Sequence, residues 1–180
     1  MAGFEYRGQL NGAENPVTLK VAIKNSVAVK VGDAVYNDGN GLLRATSSTL
    51  ILGVVVGIVD ANGIDLDNTS TSNYDGTWVS STKTYTAAAD NMTDKKVCAL
   101  VVADENALWY NDSDGDFTNP GDCNLFTLIA DQDQVDESET SATVGQVYIV
   151  KLDPDGDGDA SKCIVKIAAS QLNAYEPETA

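Results

Sequence analysis

The stretch Val17-Thr-Leu-Lys-Val-Ala-Ile-Lys-Asn-Ser-Val-Ala-Val-Lys-Val31 decides the fold. Its odd positions Val17, Leu19, Val21, Ile23, Val27, Val29 and Val31 are apolar, and its even positions are polar or small. A period of two places alternate side chains on opposite faces of an extended strand, so one face is buried. Asn25 interrupts the apolar face without changing its parity, which marks a bend or an edge. Gly32-Asp33-Ala-Val-Tyr36 follows, and then Asn37-Asp-Gly-Asn-Gly41, rich in residues that tolerate positive φ and suited to reversing the chain. A hairpin is predicted there.

Outward from this stretch, β-rich pieces recur at Leu50 to Val59, Thr77 to Val79, Lys83 to Thr86, Val97 to Ala103, Ala107 to Tyr110, Leu125 to Ala130, Val147 to Leu152 and Cys163 to Ile167. Turn chemistry separates them, and no window sustains a helical period; Ala87 to Met92 and Ala168 to Asn173 could each hold a turn or two. The expected class is all-β, a β-barrel or β-sandwich with long polar loops and an extended N-terminal arm. The expected division is an arm over 1–16, one β-rich domain over 17–172 (with a smaller 17–60 unit and a 61–172 remainder as a variant), and a frayed tail over 173–180. Asp60 to Thr77 is read as exposed loop. Asp131 to Thr143, with only Val135 and Ala142 to bury, is read as an exposed or mobile loop.

The 180 residues are 43% hydrophobic and 21% charged, ordinary for a globular chain, but the net charge is -16. Such a field opposes binding to a phosphate backbone, so nucleic acid is not expected as a partner. The first 50 residues hold five basic and four acidic side chains, for +1, and the other 130 carry -17. This asymmetry has two readings: acidic loops that simply keep the protein soluble, or a near-neutral docking portion below an acidic, outward-facing one. The ten residues Leu50 to Val59 fall short of the roughly 20 that span a bilayer, so no membrane partner is expected. The N-terminal residues lack the basic start and apolar core of a secretion signal, which points to intracellular synthesis.

The chain contains no histidine, the commonest general base near neutral pH and the usual imidazole ligand of catalytic zinc. Neither a Gly-x-Ser-x-Gly nucleophile elbow nor a phosphate-cradling Gly-x-x-x-x-Gly-Lys occurs, and no acidic pair stands out for glycoside chemistry. An enzyme is not expected. Cys98, Cys123 and Cys163 lack zinc-site spacing and are read as buried thiols. Trp78, Trp109 and Tyr110 are read as core or subunit-interface residues.

Asp153, Asp155, Asp157 and Asp159, with Gly156 and Gly158 between them, match the first half of a calcium loop, in which alternate carboxylates converge around a glycine turn. Position twelve is Ile164 and not the bidentate Glu, so two readings stand: a calcium site, or an acidic hairpin tip without metal. Asp112, Asp114 and Asp116 form a second, weaker pattern. No other cofactor is indicated.

The order of several motifs carries a family resemblance. Phe4-Glu-Tyr-Arg-Gly-Gln-Leu10 opens it, followed by Val29-Lys-Val-Gly32-Asp33-Ala-Val-Tyr36, Ala45-Thr46 and Leu52-Gly53-Val54-Val55. Lys95-Lys-Val-Cys-Ala-Leu-Val101, Ala107-Leu-Trp-Tyr-Asn-Asp-Ser-Asp-Gly-Asp116 and Thr143-Val-Gly145-Gln146-Val147 extend it over most of the chain. In this order the chain resembles the decoration (cement or head-fibre base) proteins of tailed bacteriophage capsids. The resemblance implies a structural virion protein on the outer capsid surface that binds the major capsid protein, commonly as a homotrimer, after synthesis in the bacterial host cytoplasm. It implies no active-site residues. Phe4, Tyr6, Arg7 and Leu10 are the expected capsid-binding side chains of the arm, adding backbone to an exposed sheet edge. A tail-tube or other virion β-barrel component, and a calcium-stabilised surface or adhesion module, are the alternatives.

Overall fold

A computed structural model describes residues 3–12, 15–46, 50–94, 97–117, 125–128, 134–141 and 145–168. Fourteen strands run through these residues: β1 (Glu5–Gln9), β2 (Thr18–Ala22), β3 (Ala28–Lys30), β4 (Ala34–Asn37), β5 (Leu42–Arg44), β6 (Gly53–Val59), β7 (Thr77–Val79), β8 (Thr84–Thr86), β9 (Cys98–Val102), β10 (Ala107–Asp112), β11 (Leu125–Leu128), β12 (Val135–Ser141), β13 (Val147–Leu152) and β14 (Lys162–Ile167). One helical turn, α1 (Asn91–Asp94), and a 3-10 turn at Thr71–Asn73 complete the described elements. The protein is all-β, with antiparallel strand pairing in three sheets and no closed barrel among the described residues.

The strand orders are β1-β10-β14-β13-β11-β12, β2-β9-β6-β4-β5 and β3-β8-β7. The five-stranded sheet is the middle layer. Val54 of β6 and Val102 of β9 are register partners and join Trp109, Phe126, Val147 and Val165 of the six-stranded sheet in one buried cluster. Their neighbours Val55 and Val101, also partners, face the opposite way and join Val29 and Tyr85 of the three-stranded sheet in a second. Strands buried on both faces read as continuous apolar runs, which is why Leu50 to Val59 shows no alternation. A bulge between Val55 and Gly57 leaves Val56 outside the ladder and returns Ile58 to the second cluster. Burying each such valine contributes about 1.5–3 kcal/mol.

The alternating stretch is divided between two sheets. After β2 the chain turns at Asn25-Ser26, where Ser26 takes φ 59° and the Asn25 side chain accepts from Met92 N at 2.7 Å. β3 then enters the three-stranded sheet. The predicted hairpin is present as β4–β5, in register Val35↔Arg44 and Asn37↔Leu42. Between β3 and β4, Gly32 (φ 94°) accepts from Phe4 N at 3.0 Å and donates to Val55 O at 2.8 Å. The buried Asp33 carboxylate accepts from Lys30 N at 2.7 Å and pairs with Arg44 Nε at 3.0 Å.

Two expectations change. The segment read as an arm lying on a partner contains β1, the edge strand of the six-stranded sheet, paired with β10 in register Glu5↔Tyr110 and Tyr6↔Trp109. Phe4 is buried in the first cluster, so this stretch closes a core within its own chain. Residues 135–141, read as loop, form β12 on the other edge of that sheet, with Val135 buried. An edge strand needs few apolar residues, which is why its acidic composition hid it. A boundary at residue 60 would also cut the middle sheet, because β9 lies between β2 and β6. Cys123, the 169–173 stretch and the 173–180 tail lie outside the described residues.

A Cβ on Gly53 would lie 2.2 Å from Val102 O, whereas one on Gly57 would meet Leu100 Cδ1 at an ordinary 3.5 Å. Gly53→Ala is therefore expected to destabilise the protein by about 1–3 kcal/mol in denaturant melts, as overpacking does. Gly57→Ala should be tolerated, and equal effects of the two would disprove the close approach of β6 to β9.

Candidate functional site

The four residues expected to dock on a partner fall in different environments. Phe4 is in the core, and the Tyr6 ring packs edge-on against Trp109 with centroids 5.6 Å apart. The Arg7 guanidinium sits 4.9 Å from the Tyr110 ring centroid and pairs with Glu5 at 3.3 Å. Leu10 alone of the four presents a large apolar side chain to solvent, at 52% exposure. Val17 is also exposed, at 57%. Asp104 joins the two segments: its carboxylate accepts from the Gln9 side chain at 2.8 Å and from Val17 N at 3.2 Å, while Leu10 N donates to Asn106 O at 2.9 Å. Burial pushes the Asp104 pKa up, but the hydrogen bonds from Asn106, Val17 and Gln9 outweigh it and hold the group below the usual carboxylate value. Sequence reasoning missed Val17 as a surface residue because its parity placed it on the buried face.

At the tip of the β13–β14 hairpin, three of the four aspartates of the candidate calcium pattern have partners within the chain. Asp153, at φ 44°, accepts from Asp157 N and Gly158 N, both at 3.0 Å. Asp157 pairs with Lys162 Nζ, Asp159 lies 3.5 Å from the same ammonium, and Asp159 also accepts from Ser161 N at 3.1 Å. The Lys162 hydrogen bond holds Asp157 below the usual carboxylate range, and the Ser161 hydroxyl and amide do the same for Asp159. Asp155 is exposed. Lys162, from the following strand, supplies the positive charge that the half-pattern suggested an ion would bring.

Three carboxylates do converge elsewhere. Oxygens of Asp114, Asp136 and Glu137 lie within 4.8 Å of one another, where β12 passes the loop after β10. Gly115 makes the approach feasible: a Cβ there would lie 2.7 Å from Glu137 Oε1. The hydrogen bond shared with Asp114, with burial second, raises the Glu137 pKa above the usual carboxylate value. These are the described residues that could hold a hard cation, since carboxylate oxygens at this spacing suit calcium. Of the weaker sequence pattern only Asp114 takes part; Asp136 and Glu137 come from the segment read as loop.

Cys98 and Cys163 are buried, and burial pushes the Cys163 thiol up to about 12, so it is protonated and inert at neutral pH. Trp109 is fully buried, and Trp78 packs against the second cluster while donating Nε1–H to Asp67 at 3.0 Å. Asn91 and Asn111, each in an Asn-x-Ser/Thr match, are buried: the first donates to Ile23 O at 2.6 Å, and the second accepts from Val135 N at 3.0 Å. No described helix is long and apolar enough to cross a membrane. No protein-family model matches the chain, and comparison with curated proteins and with solved structures returned no match.

Because the folded-state pKa of Glu137 is raised, its contribution is fully favourable below the unfolded-state value of about 4 and is lost as pH rises through the folded value. Glu137→Gln is therefore expected to raise Tm near neutral pH in metal-free buffer and to leave it unchanged below about pH 4. A variant less stable than the parent at neutral pH would contradict the like-charge contact.

Proposed function

We propose that this is a structural virion protein that decorates and stabilises an assembled bacteriophage capsid by binding the major capsid protein at the outer surface, as a homo-oligomer such as a trimer. The observation that carries the reading is the exposed pair Leu10 and Val17, attached through Gln9 and Val17 N to one carboxylate and lying in the near-neutral first 50 residues of a strongly acidic chain. Exposed apolar side chains on a rigid support lose little conformational freedom on docking. The -17 carried by the rest of the chain keeps the outward face in solution and repels other particles. The motif order that resembles capsid decoration proteins supports the same reading. Binding only the assembled shell stabilises it by mass action, and several copies engaged in one oligomer add effective concentration.

Removing the N-terminal segment would not test this, because Phe4 and β1 belong to the first core. Surface substitution does. Leu10→Asp combined with Val17→Asp is expected to leave the melt cooperative and to weaken cosedimentation with shells of the major capsid protein by at least about 100-fold, as loss of a docking centre does. Val150→Asp, at a 43% exposed position on β13, is the control and should bind as the parent does. Undiminished attachment of the double variant would reject this docking surface.

The Asp114, Asp136 and Glu137 convergence favours a second reading, a calcium-stabilised surface module. It predicts that calcium raises the Tm of the parent and not that of Glu137→Gln, with the shift reversed by chelation. Equal Tm with and without calcium would eliminate it.

A further inference from the structure

We propose that the outer edge of β2 seats an extended segment of the partner, which adds to the five-stranded sheet as a further strand and carries a carboxylate opposite Lys20. On the capsid-binding function proposed for the chain, that segment belongs to the major capsid protein. The direction of attachment is then the reverse of the one expected from the sequence. Residues 5–9 complete a sheet of their own chain, and the chain offers an edge to its partner.

Among the described residues, β1, β12, β2, β5, β3 and β7 end the three sheets. All but β2 carry a feature that discourages pairing. β3, β5 and β7 are three residues long, and the free side of β5 is met by Lys24 N, which donates to Leu42 O at 3.1 Å. β1 bulges between Tyr6 and Gly8, and the register of β12 with β11 shifts between Phe126 and Thr127. Short strands and bulges keep a sheet edge from recruiting another chain. β2 has five residues and keeps one register with β9 from Thr18↔Val102 to Ala22↔Cys98.

Backbone direction follows from the ladder. Ala103 N donates to Val17 O at 3.0 Å and Ile23 N to Val97 O at 3.5 Å, at the two ends of that register. Bonded and non-bonded pairs alternate along antiparallel strands, so Leu19 and Val21 bond to β9 while the N–H and C=O of Thr18 and Lys20 point away from it. Thr18 and Lys20 are exposed. Leu19 and Val21 pack against the second cluster yet stay half-buried, because no strand lies beyond them. A strand laid there meets the outward groups of Thr18 and Lys20, and its alternate side chains cover Leu19 and Val21. Lys20 selects the occupant. It is the middle residue of β2, so two copies pairing edge to edge over the whole strand would set Lys20 opposite Lys20, and like charges so placed are destabilising. A carboxylate at that place is favoured, since the Lys20 ammonium is exposed and its bond to Ala61 O is long, at 3.4 Å.

Amide hydrogen exchange of the full-length protein, free and bound to shells of the major capsid protein, tests the assignment. In the free protein the amides of Thr18 and Lys20 should exchange faster than those of Leu19 and Val21, and on shells all four should be protected. Thr18→Pro removes an outward N–H and no ladder bond, a change tolerated at the first residue of an edge strand. It is expected to keep a cooperative melt and to weaken cosedimentation about tenfold, as loss of roughly one net hydrogen bond does. Lys20→Glu, which leaves the backbone intact, should weaken it at least as much at low salt. Lys151→Glu makes the same charge change at an exposed position on β13 and should bind as the parent does. Parent protein that ignores the shells would overturn the capsid-binding function and this docking mode together. Parent protein that binds, with the Lys20 amide no better protected and Lys20→Glu bound as tightly as Lys151→Glu, would overturn the docking mode alone.

Discussion

Gly32-Asp33 is the junction on which the three sheets depend. Gly32 accepts from Phe4 N, at the entrance to β1, and donates to Val55 O of the middle sheet; Asp33 accepts from Lys30 N at the end of β3 and pairs with Arg44 on β5. A Cβ on Gly32 would lie 3.3 Å from Gly3 Cα and Phe4 N, so glycine permits both the positive φ and the close crossing. A buried carboxylate without compensation costs several kcal/mol, and here a backbone amide and a guanidinium supply it. The pair acts mainly by excluding alternatives: any other course for the chain between β3 and β4 strands the Asp33 charge in the core.

Around that junction the middle sheet does the apolar work. Strands β6 and β9 present successive valines to opposite cores, so each residue of the pair Val54-Val55 serves a different layer. Side chains with unbranched polar groups could not occupy these positions, because neither face meets water. Three buried amides tie the layers to neighbouring loops. Asn91 bridges Ile23 and Val97, Asn111 holds the start of β12, and Gln146 joins Leu128 N at 3.1 Å and Thr46 O at 2.8 Å. Each satisfies backbone groups that strand ends leave unpaired.

The acidic surface is organised by local partners. At the β13–β14 tip, backbone amides and Lys162 neutralise a run of aspartates that would otherwise repel one another. At Asp114 and Glu137 no such cation is adjacent among the described residues, and the contact raises the Glu137 pKa above its ordinary value. The contrast follows from sequence distance. Lys162 lies five residues beyond Asp157, whereas Asp114, in the loop after β10, and Glu137, on β12, are brought together only by the tertiary fold.

The residues by themselves determined the period-two strands, the β4–β5 reversal at Asn37 to Gly41, the hairpin of β13 and β14, the buried Cys98 and Cys163, and the all-β class. All of these rest on alternation, turn chemistry or side-chain polarity, which act over a few neighbours. Tertiary structure alone decided that Glu5–Gln9 is a strand of the chain's own sheet, that 135–141 is an edge strand, and that Asp114 meets Asp136 and Glu137. An edge strand is defined by its partner and only weakly by its composition, and a charge cluster by which segments the fold brings together. Those are long-range facts, and no local pattern encodes them.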